Sequence, residues 1–152
     1  MKAAYIEKFG TPDIIKVGTL PDPVAGPGQV VVDVAAASIN GADWKVAAGE
    51  YKQVNFPVIL GRDFSGTVSS VGAGVTDLKV GDEVFGVLET GRDGTYCEKL
   101  AVGAAVVAKK PSAMSHVDAA ALALIVGIAA GVAAHRIPGG EGAAEAVAVG
   151  GA

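Results

Sequence analysis

The first side chains in this sequence that could do chemistry are Arg62 and Asp63, within the segment VILGRDFSGTV (58–68). They stand between a glycine turn and an alternating strand pattern, where a packed β-domain usually has small or apolar residues. A guanidinium and a carboxylate can orient a bound molecule, or they can form a local ion pair or turn hydrogen bonds that stabilise the start of the strand. The two charges therefore bear on whether the chain is an enzyme.

Other reactive side chains are few, because the chain has one cysteine and two histidines. Cys97 lies in a predicted strand with no histidine near it in sequence, which favours a packed thiol. His116 and His135 lie at the two ends of a predicted helix, where we expect capping or solvent-exposed roles. A lone cysteine excludes an intramolecular disulfide, and the charged start MKAAYIEKFG does not fit a signal peptide, so we expect a cytoplasmic protein.

Composition sets limits on the class of protein. The chain has 152 residues, 51% of them hydrophobic, with a mean hydropathy of +0.45. These values predict one globular domain with a real core. The formal net charge is −4, and the sequence has no cluster of lysines and arginines. We therefore expect no nucleic-acid partner, since such proteins normally show a basic face.

One apolar segment, 117–134, approaches the length of a membrane span. It is mostly alanine and glycine and lacks aromatic anchors, so we expect a buried or interface helix and no membrane partner. Ser115 and Asp118 are typical of a helix start, and IPGG at 137–140 is typical of its end.

The sequence before that helix predicts strands and turns. β-branched and alternating patterns recur at short spacing, which favours a small barrel or sandwich. The predicted strands are in the segments 29–38, 63–72, 81–86, 94–102 and 104–111. The run GAGV at 72–75 lacks the third glycine and the helix of a dinucleotide fingerprint, so it predicts a hairpin turn.

Two segments together resemble a known family. GPGQVVVDVAAASINGADWKVAAGEY (26–51) and FPVILGRDFSGTVSSVGAGVTDLKVGDEVFG (56–86) are similar to the GroES-like N-terminal domain of medium-chain dehydrogenase/reductases, particularly the zinc-independent quinone-oxidoreductase branch. The resemblance implies a mainly β fold with some α, a partly open β-barrel followed by an Ala/Gly-rich helix. It places this substrate-side domain at residues 1–136 and a connection with the possible first strand of a Rossmann domain at 137–152.

The resemblance also implies that zinc is absent. Zinc-dependent members have a cysteine at the position of Asn40 and a His-Glu pair at the positions of Arg62 and Asp63. Catalytic zinc needs three protein ligands, and an asparagine with an arginine cannot supply them. The structural zinc of the family uses four cysteines in one loop, whereas this chain has Cys97 alone. We therefore expect no bound metal.

The same resemblance places Asn40, Arg62 and Asp63 at the cleft between the barrel and the cofactor, as candidate catalytic residues. Asn40, Arg62 and Tyr51 would shape a polar pocket that orients a quinone or enone oxygen during hydride transfer. Trp44 and Tyr51 are candidates to line the pocket for a small-molecule carbonyl or quinone substrate. The alternative for both aromatic residues is core or lid packing.

The segment GGEGAAEAVAVGGA (139–152) resembles the start of a Rossmann domain, with Gly150 and Gly151 opening the phosphate loop that would bind NADPH. It can also be aligned with the C-terminal helix of the catalytic domain. Either alignment leaves the dinucleotide-binding unit incomplete, so we expect NADPH in a complete homologue and no tight NADPH binding by this chain. The family's threonine near the nicotinamide is replaced by Ala129, which weakens the case for full activity.

Two functions fit these observations. The first is the substrate-side domain of a zinc-independent, NADPH-dependent quinone or enone reductase, inactive as an isolated chain. The second is a non-catalytic GroES-like domain that binds a small molecule or a protein, or that self-associates. Because the Ala/Gly-rich segment 119–134 would expose an apolar face, we also expect a homo-oligomer.

Overall fold

The computed structural model describes residues 1–51, 55–88 and 93–125, and strands dominate these parts of the chain. The strands are β1 (Lys2–Ile6), β2 (Lys16–Thr19), β3 (Gln29–Ala37), β4 (Val58–Ile59), β5 (Asp63–Val71), β6 (Glu83–Val87), β7 (Lys99–Gly103) and β8 (Val107–Lys109). Helix α1 spans Gly41–Ala48, and two 3-10 turns span Pro12–Ile14 and Ala104–Val106. Residues 116–125 are helical and are called α2 below.

The strands form two antiparallel sheets, with the orders β2-β1-β4 and β7-β3-β5-β6-β8. A bridge between Ala3 and Cys97 joins the smaller sheet to the segment before β7. The N–H of Ala4 also donates to the carbonyl of Tyr96 at 2.7 Å. These contacts connect the central strand of the smaller sheet to the segment before β7, and the predicted mainly β architecture with helices is confirmed.

The main core lies on the inner face of the larger sheet. Alternation along β3 buries Val30 and Val32 completely, and β5 contributes Phe64 and Val68 to the same cluster. Burial of these β-branched and aromatic side chains explains why the segments predicted as strands form β3 and β5. The core therefore fixes the registers of these strands, and with them the positions of residues at the strand ends.

Two of the predicted strands are shorter than expected. The segment 94–102 becomes extended only at Lys99, because the N–H of Cys97 donates to the carbonyl of Thr95 at 2.9 Å in a tight turn. Likewise, residues 104–106 form a 3-10 turn before β8. Local hydrogen bonds therefore interrupt the regular strand pairing at both places.

Helix α2 begins as predicted, because the N–H of Asp118 donates to the hydroxyl of Ser115 at 3.1 Å. Its small residues Ala119 and Ala123 are buried and pack against Phe85 of β6. One face of the helix is therefore buried within residues 116–125, whereas Val117 and Ile125 are exposed, and the predicted end at 137–140 lies outside the described residues. Within the described ranges, no helix is long and apolar enough to cross a membrane.

Candidate functional site

Asn40 stands immediately before α1, in extended conformation, as the residue that caps the helix. Its backbone N–H donates to Oδ2 of Asp43 at 2.7 Å. Asp43 is the third residue of the helix, and its buried carboxylate also stabilises the positive end of the helix dipole. The start of α1 is therefore fixed relative to the end of β3.

Asp63 is the first residue of β5, and only 1% of it is exposed. Because Ala37 pairs with Phe64 across β3 and β5, Asp63 lies beside the residues that follow β3. Its Oδ2 accepts hydrogen bonds from the hydroxyl of Ser38 at 2.7 Å and from Nδ2 of Asn40. Its Oδ1 is buried without a partner among the residues described. The structure joins Asn40 and Asp63 directly, and the sequence analysis had proposed both as candidate catalytic residues.

The orientation of the Asn40 amide follows from this contact. A carboxylate can only accept hydrogen bonds, so the Asn40 atom that faces Asp63 must be the amide nitrogen. The same nitrogen lies 3.4 Å from the hydroxyl oxygen of Ser38. Asn40 therefore spends at least part of its donor capacity inside the protein, which limits what it can offer to a ligand.

Tyr96 is a member of this polar cluster that the sequence analysis missed. Its hydroxyl donates to Oδ2 of Asp43 at 2.7 Å and lies 3.2 Å from the carbonyl oxygen of Ser38. Burial, followed by the hydrogen bond to Asp43, raises the pKa of Tyr96 far above its ordinary value. The phenol therefore stays neutral and holds Asp43 in place. The spacing of Asn40 and Asp43 is a helix-start signal, whereas no sequence signal links Tyr96 to Asp43.

Arg62 points away from this cluster. Its Nε donates to the carbonyl of Leu88 at 3.0 Å, and the N–H of Leu88 donates to the carbonyl of Arg62 at 2.9 Å. No ion pair joins Arg62 to Asp63 in the described parts of the chain. The ion-pair form of the local alternative is therefore wrong, whereas its hydrogen-bond form is observed, because Arg62 binds the carbonyl of Leu88 and Asp63 accepts from Ser38 and Asn40.

Gly61 sets the approach of the chain to both charged residues. Its φ of +98° lies in the region that favours glycine, and a Cβ there would meet Thr95 Oγ1 at 2.5 Å and Tyr96 Cδ1 at 2.6 Å. The hydroxyl of Thr95 is fully buried and has no described hydrogen-bond partner. A glycine is thus required for Tyr96 to pack over this turn.

Trp44 and Tyr51, the predicted lining residues, are 55% and 38% exposed. The indole nitrogen of Trp44 lies 3.9 Å from the Cβ position of Gly41, so the ring folds back over the first residue of α1, next to Asn40. Tyr51 makes no hydrogen bond to the polar cluster within the described ranges. The structure therefore places Trp44, but not Tyr51, beside the candidate site.

Cys97 is a packed thiol, as predicted. It packs against the main core, and burial raises the pKa of its thiol to about 11, so it is not a ready nucleophile. The prediction for His116 was wrong, because its Nδ1 lies 2.8 Å from the hydroxyl of buried Ser65 and its Nε2 lies 3.3 Å from Glu83. His116 thus fastens α2 to β5 and β6.

The donor set at the candidate site does not fit zinc. Asn40 and Arg62 occupy two of the positions that hold zinc ligands in zinc-dependent relatives, and the carboxylate of Asp63 accepts hydrogen bonds from Ser38 and Asn40. Elsewhere in the described residues, no group of three or more His, Cys, Asp or Glu side chains could hold a metal. The cofactor candidates Gly150 and Gly151 lie outside the described residues.

Comparisons with known proteins place these observations in a family context. Residues 26–149 match the family described as the alcohol dehydrogenase GroES-like domain. A 2-methylene-furan-3-one reductase from Solanum lycopersicum is 35% identical over 135 residues, which cover 83% of this chain and 35% of that protein.

Solved structures of similar fold include quinone oxidoreductases. The enzyme from Coxiella burnetii has a TM-score of 0.81 and 31% identity, over 90% of this chain and 44% of that one. The Escherichia coli quinone oxidoreductase complexed with NADPH has a TM-score of 0.80 and 26% identity, over 90% of this chain and 41% of that one. The chain therefore spans less than half the length of each of these relatives.

Proposed function

Because the chain belongs to the alcohol dehydrogenase GroES-like domain family, we propose that it is the substrate-side domain of a zinc-independent, NADPH-dependent reductase of quinones or enones. The family resemblance predicted from segments 26–51 and 56–86 is confirmed by this membership. Its reductase activity is a proposal, carried by similarity to a furanone reductase and to quinone oxidoreductases and by the geometry around Arg62.

The observation that carries the proposal is the separation of the two charges. Asp63 turns into the protein and holds Asn40, whereas Arg62 is half-buried and tied at Nε, so that its terminal nitrogens remain as further donors. In the reaction, NADPH would supply a hydride to the electrophilic carbon of the substrate. The electron pair of the carbonyl moves onto its oxygen, where a guanidinium stabilises the growing negative charge until water provides a proton.

Each candidate residue has a distinct role in this proposal. Arg62 contacts the substrate oxygen, and Asn40 lies at the pocket wall with its remaining amide capacity. Asp63 is 1% exposed, so it acts through Asn40 as a positioning residue. Trp44 lines the apolar side next to Asn40, and Tyr51 lines a more distant part of the pocket. Zinc has no role, because the polar residues present are used for hydrogen bonds among themselves and with the backbone.

We further propose a cytoplasmic homo-oligomer with little NADPH affinity in this chain alone. On α2, Val117, Leu122 and Ile125 are 69%, 39% and 64% exposed. These residues also support the second candidate, a non-catalytic domain that binds another surface, because large exposed apolar side chains on one helix favour association. A measurement of NADPH-dependent reductase activity distinguishes the substrate-side domain from the non-catalytic binding domain.

A chimera tests the reductase proposal. Residues 1–136 would be joined to the Rossmann domain of an active relative, and NADPH oxidation would be followed at 340 nm with a quinone and with an enone. We expect turnover that falls at least about tenfold with Arg62→Gln, since one stabilising donor is typically worth a hundredfold or more. Asn40→Ala should lower turnover more than the control His135→Ala.

The outcomes separate the claims. A folded chimera that binds NADPH but reduces neither substrate would contradict the reductase assignment and favour the binding domain. Equal turnover of the Asn40→Ala and His135→Ala chimeras would remove Asn40 from the site. About one zinc per chain in untagged protein, lost on mutation of Asp63, would refute the zinc-independent part.

A further inference from the structure

Arg62 differs from the other cationic groups for which the structure gives ion pairs. Those pairs are Met1 N-terminus with Asp22, Lys16 with Glu7, Lys99 with Asp33, Lys109 with Asp82, and Lys110 and His116 with Glu83. Arg62 is half-buried and has no carboxylate partner in the described ranges, although Asp63 follows it in sequence. A partly desolvated cation gains more from an anionic partner than an exposed one does.

The nearest carboxylate in sequence cannot take that place. Asp63 is buried on the opposite side of the chain, where Ser38 and Asn40 donate to it. The guanidinium of Arg62 is also held in position, because Nε binds the carbonyl of Leu88 at 3.0 Å. A fixed, planar fork of donors suits an oxyanion that can accept two parallel hydrogen bonds.

We infer that Arg62 forms an oxyanion subsite in the proposed substrate pocket, and that the substrate is an anionic carbonyl compound, a quinone or enone that carries a carboxylate. This inference rests on the proposed function, because it assumes that Arg62 faces the substrate. A phosphate group has related chemistry and could come from the cofactor. Both groups can accept two parallel hydrogen bonds from a guanidinium, and competition by pyrophosphate distinguishes them.

Two ligands of the same shape test the charge requirement directly. Anthraquinone-2-carboxylate and anthraquinone-2-carboxamide share one ring system, and neither offers an open position to nucleophiles. Binding to the 152-residue chain would be measured by isothermal titration calorimetry at pH 7 and low salt. We expect the carboxylate to bind about tenfold more tightly, the gain typical of a charge-assisted hydrogen bond.

Variants assign the preference to one residue. Arg62→Gln should remove the preference, and a far-ultraviolet circular dichroism spectrum equal to that of the wild type would show that the variant is folded. Arg62→Lys should keep part of the preference, because it retains the charge without the fork. The matched control is Lys45→Gln, since the ammonium of Lys45 lies 5.7 Å from the ring centre of Trp44 and is another cation close to the site. This control should keep the full preference.

Other results would overturn the inference in distinguishable ways. Equal affinities of the wild type for both ligands would refute the anionic substrate and leave the quinone pocket standing, whereas no binding of either would count against the pocket as well. Loss of the preference for the carboxylate in Lys45→Gln would show that Lys45, and not Arg62, binds the carboxylate. Competition by micromolar inorganic pyrophosphate would assign the subsite to phosphate.

Discussion

Exchange of the side chains of Asn40 and Asp63 tests the contact that positions the candidate site. Asn40→Asp places a second carboxylate against that of Asp63, which is only 1% exposed. We expect the free energy of unfolding to fall by about 3 kcal/mol, the lower end for an uncompensated buried charge, because position 40 is half-exposed. Asp63→Asn keeps the volume but converts charge-assisted bonds into neutral ones, at a cost of about 1–2 kcal/mol.

The double variant provides the decisive comparison. N40D/D63N again places a carboxylate opposite an amide, so it should be more stable than the sum of the two single effects by about 1–3 kcal/mol. Urea unfolding at pH 7, followed by circular dichroism, would give these values. Asp33→Asn is the control, because Asp33 forms an exposed ion pair with Lys99 at 2.9 Å and should change stability by less than about 1 kcal/mol. Additive effects in the double variant would refute the direct contact.

Two further predictions concern the turn beside the site and the buried thiol. Gly61→Ala should lower the free energy of unfolding by about 2–5 kcal/mol, because the backbone is strained and the new Cβ overlaps Thr95 and Tyr96. Gly74 has a φ of +83° but open space around its Cβ position, so Gly74→Ala should cost only about 1–2 kcal/mol in the same urea assay. Equal losses in the two variants would show that the overlap at Gly61 is relieved at no cost. Because the pKa of Cys97 is raised to about 11, its reaction with an aromatic disulfide at pH 8 should be about a hundredfold slower in the native protein than in urea, and the native rate should go on rising above pH 9. A native rate that levels off near pH 9 would contradict the raised pKa.

The sequence predicted those parts of the fold that local patterns determine. Alternating and β-branched residues in β3 and β5 define which face is buried, so the strands could be placed before their partners were known. Ser115 and Asp118 likewise predicted the start of α2 from the chemistry of a helix cap. The strand predicted over 94–102 was too long, because a pattern of residue types does not reveal a turn closed by backbone atoms at Thr95 and Cys97.

The sequence analysis proposed Asn40, Arg62 and Asp63 as candidates, but it predicted none of their contacts and missed Tyr96. Asn40 and Asp63 were grouped through a family resemblance, and nothing in their local sequence indicates that one donates to the other. Tyr96 reaches Asp43 across 53 positions, so only the folded sheets bring them together. The partner of Arg62 is a backbone carbonyl, that of Leu88, and such a partner carries no residue-type signal at all.

The two charges at the start of β5 are compatible with a packed β-domain because the strand divides them. Donors from Ser38 and Asn40 compensate the burial of Asp63 at Oδ2, whereas its Oδ1 has no partner among the described residues. Removal of the carboxylate would release Asn40, the residue that caps α1. Among the described residues, the side chain of Arg62 donates one hydrogen bond, from Nε to the carbonyl of Leu88. A stability cost is therefore expected mainly from changes at Asp63, whereas changes at Arg62 should act mainly on ligand binding. In our proposal, that division, and not the presence of charge alone, distinguishes Arg62 from a residue in a surface ion pair.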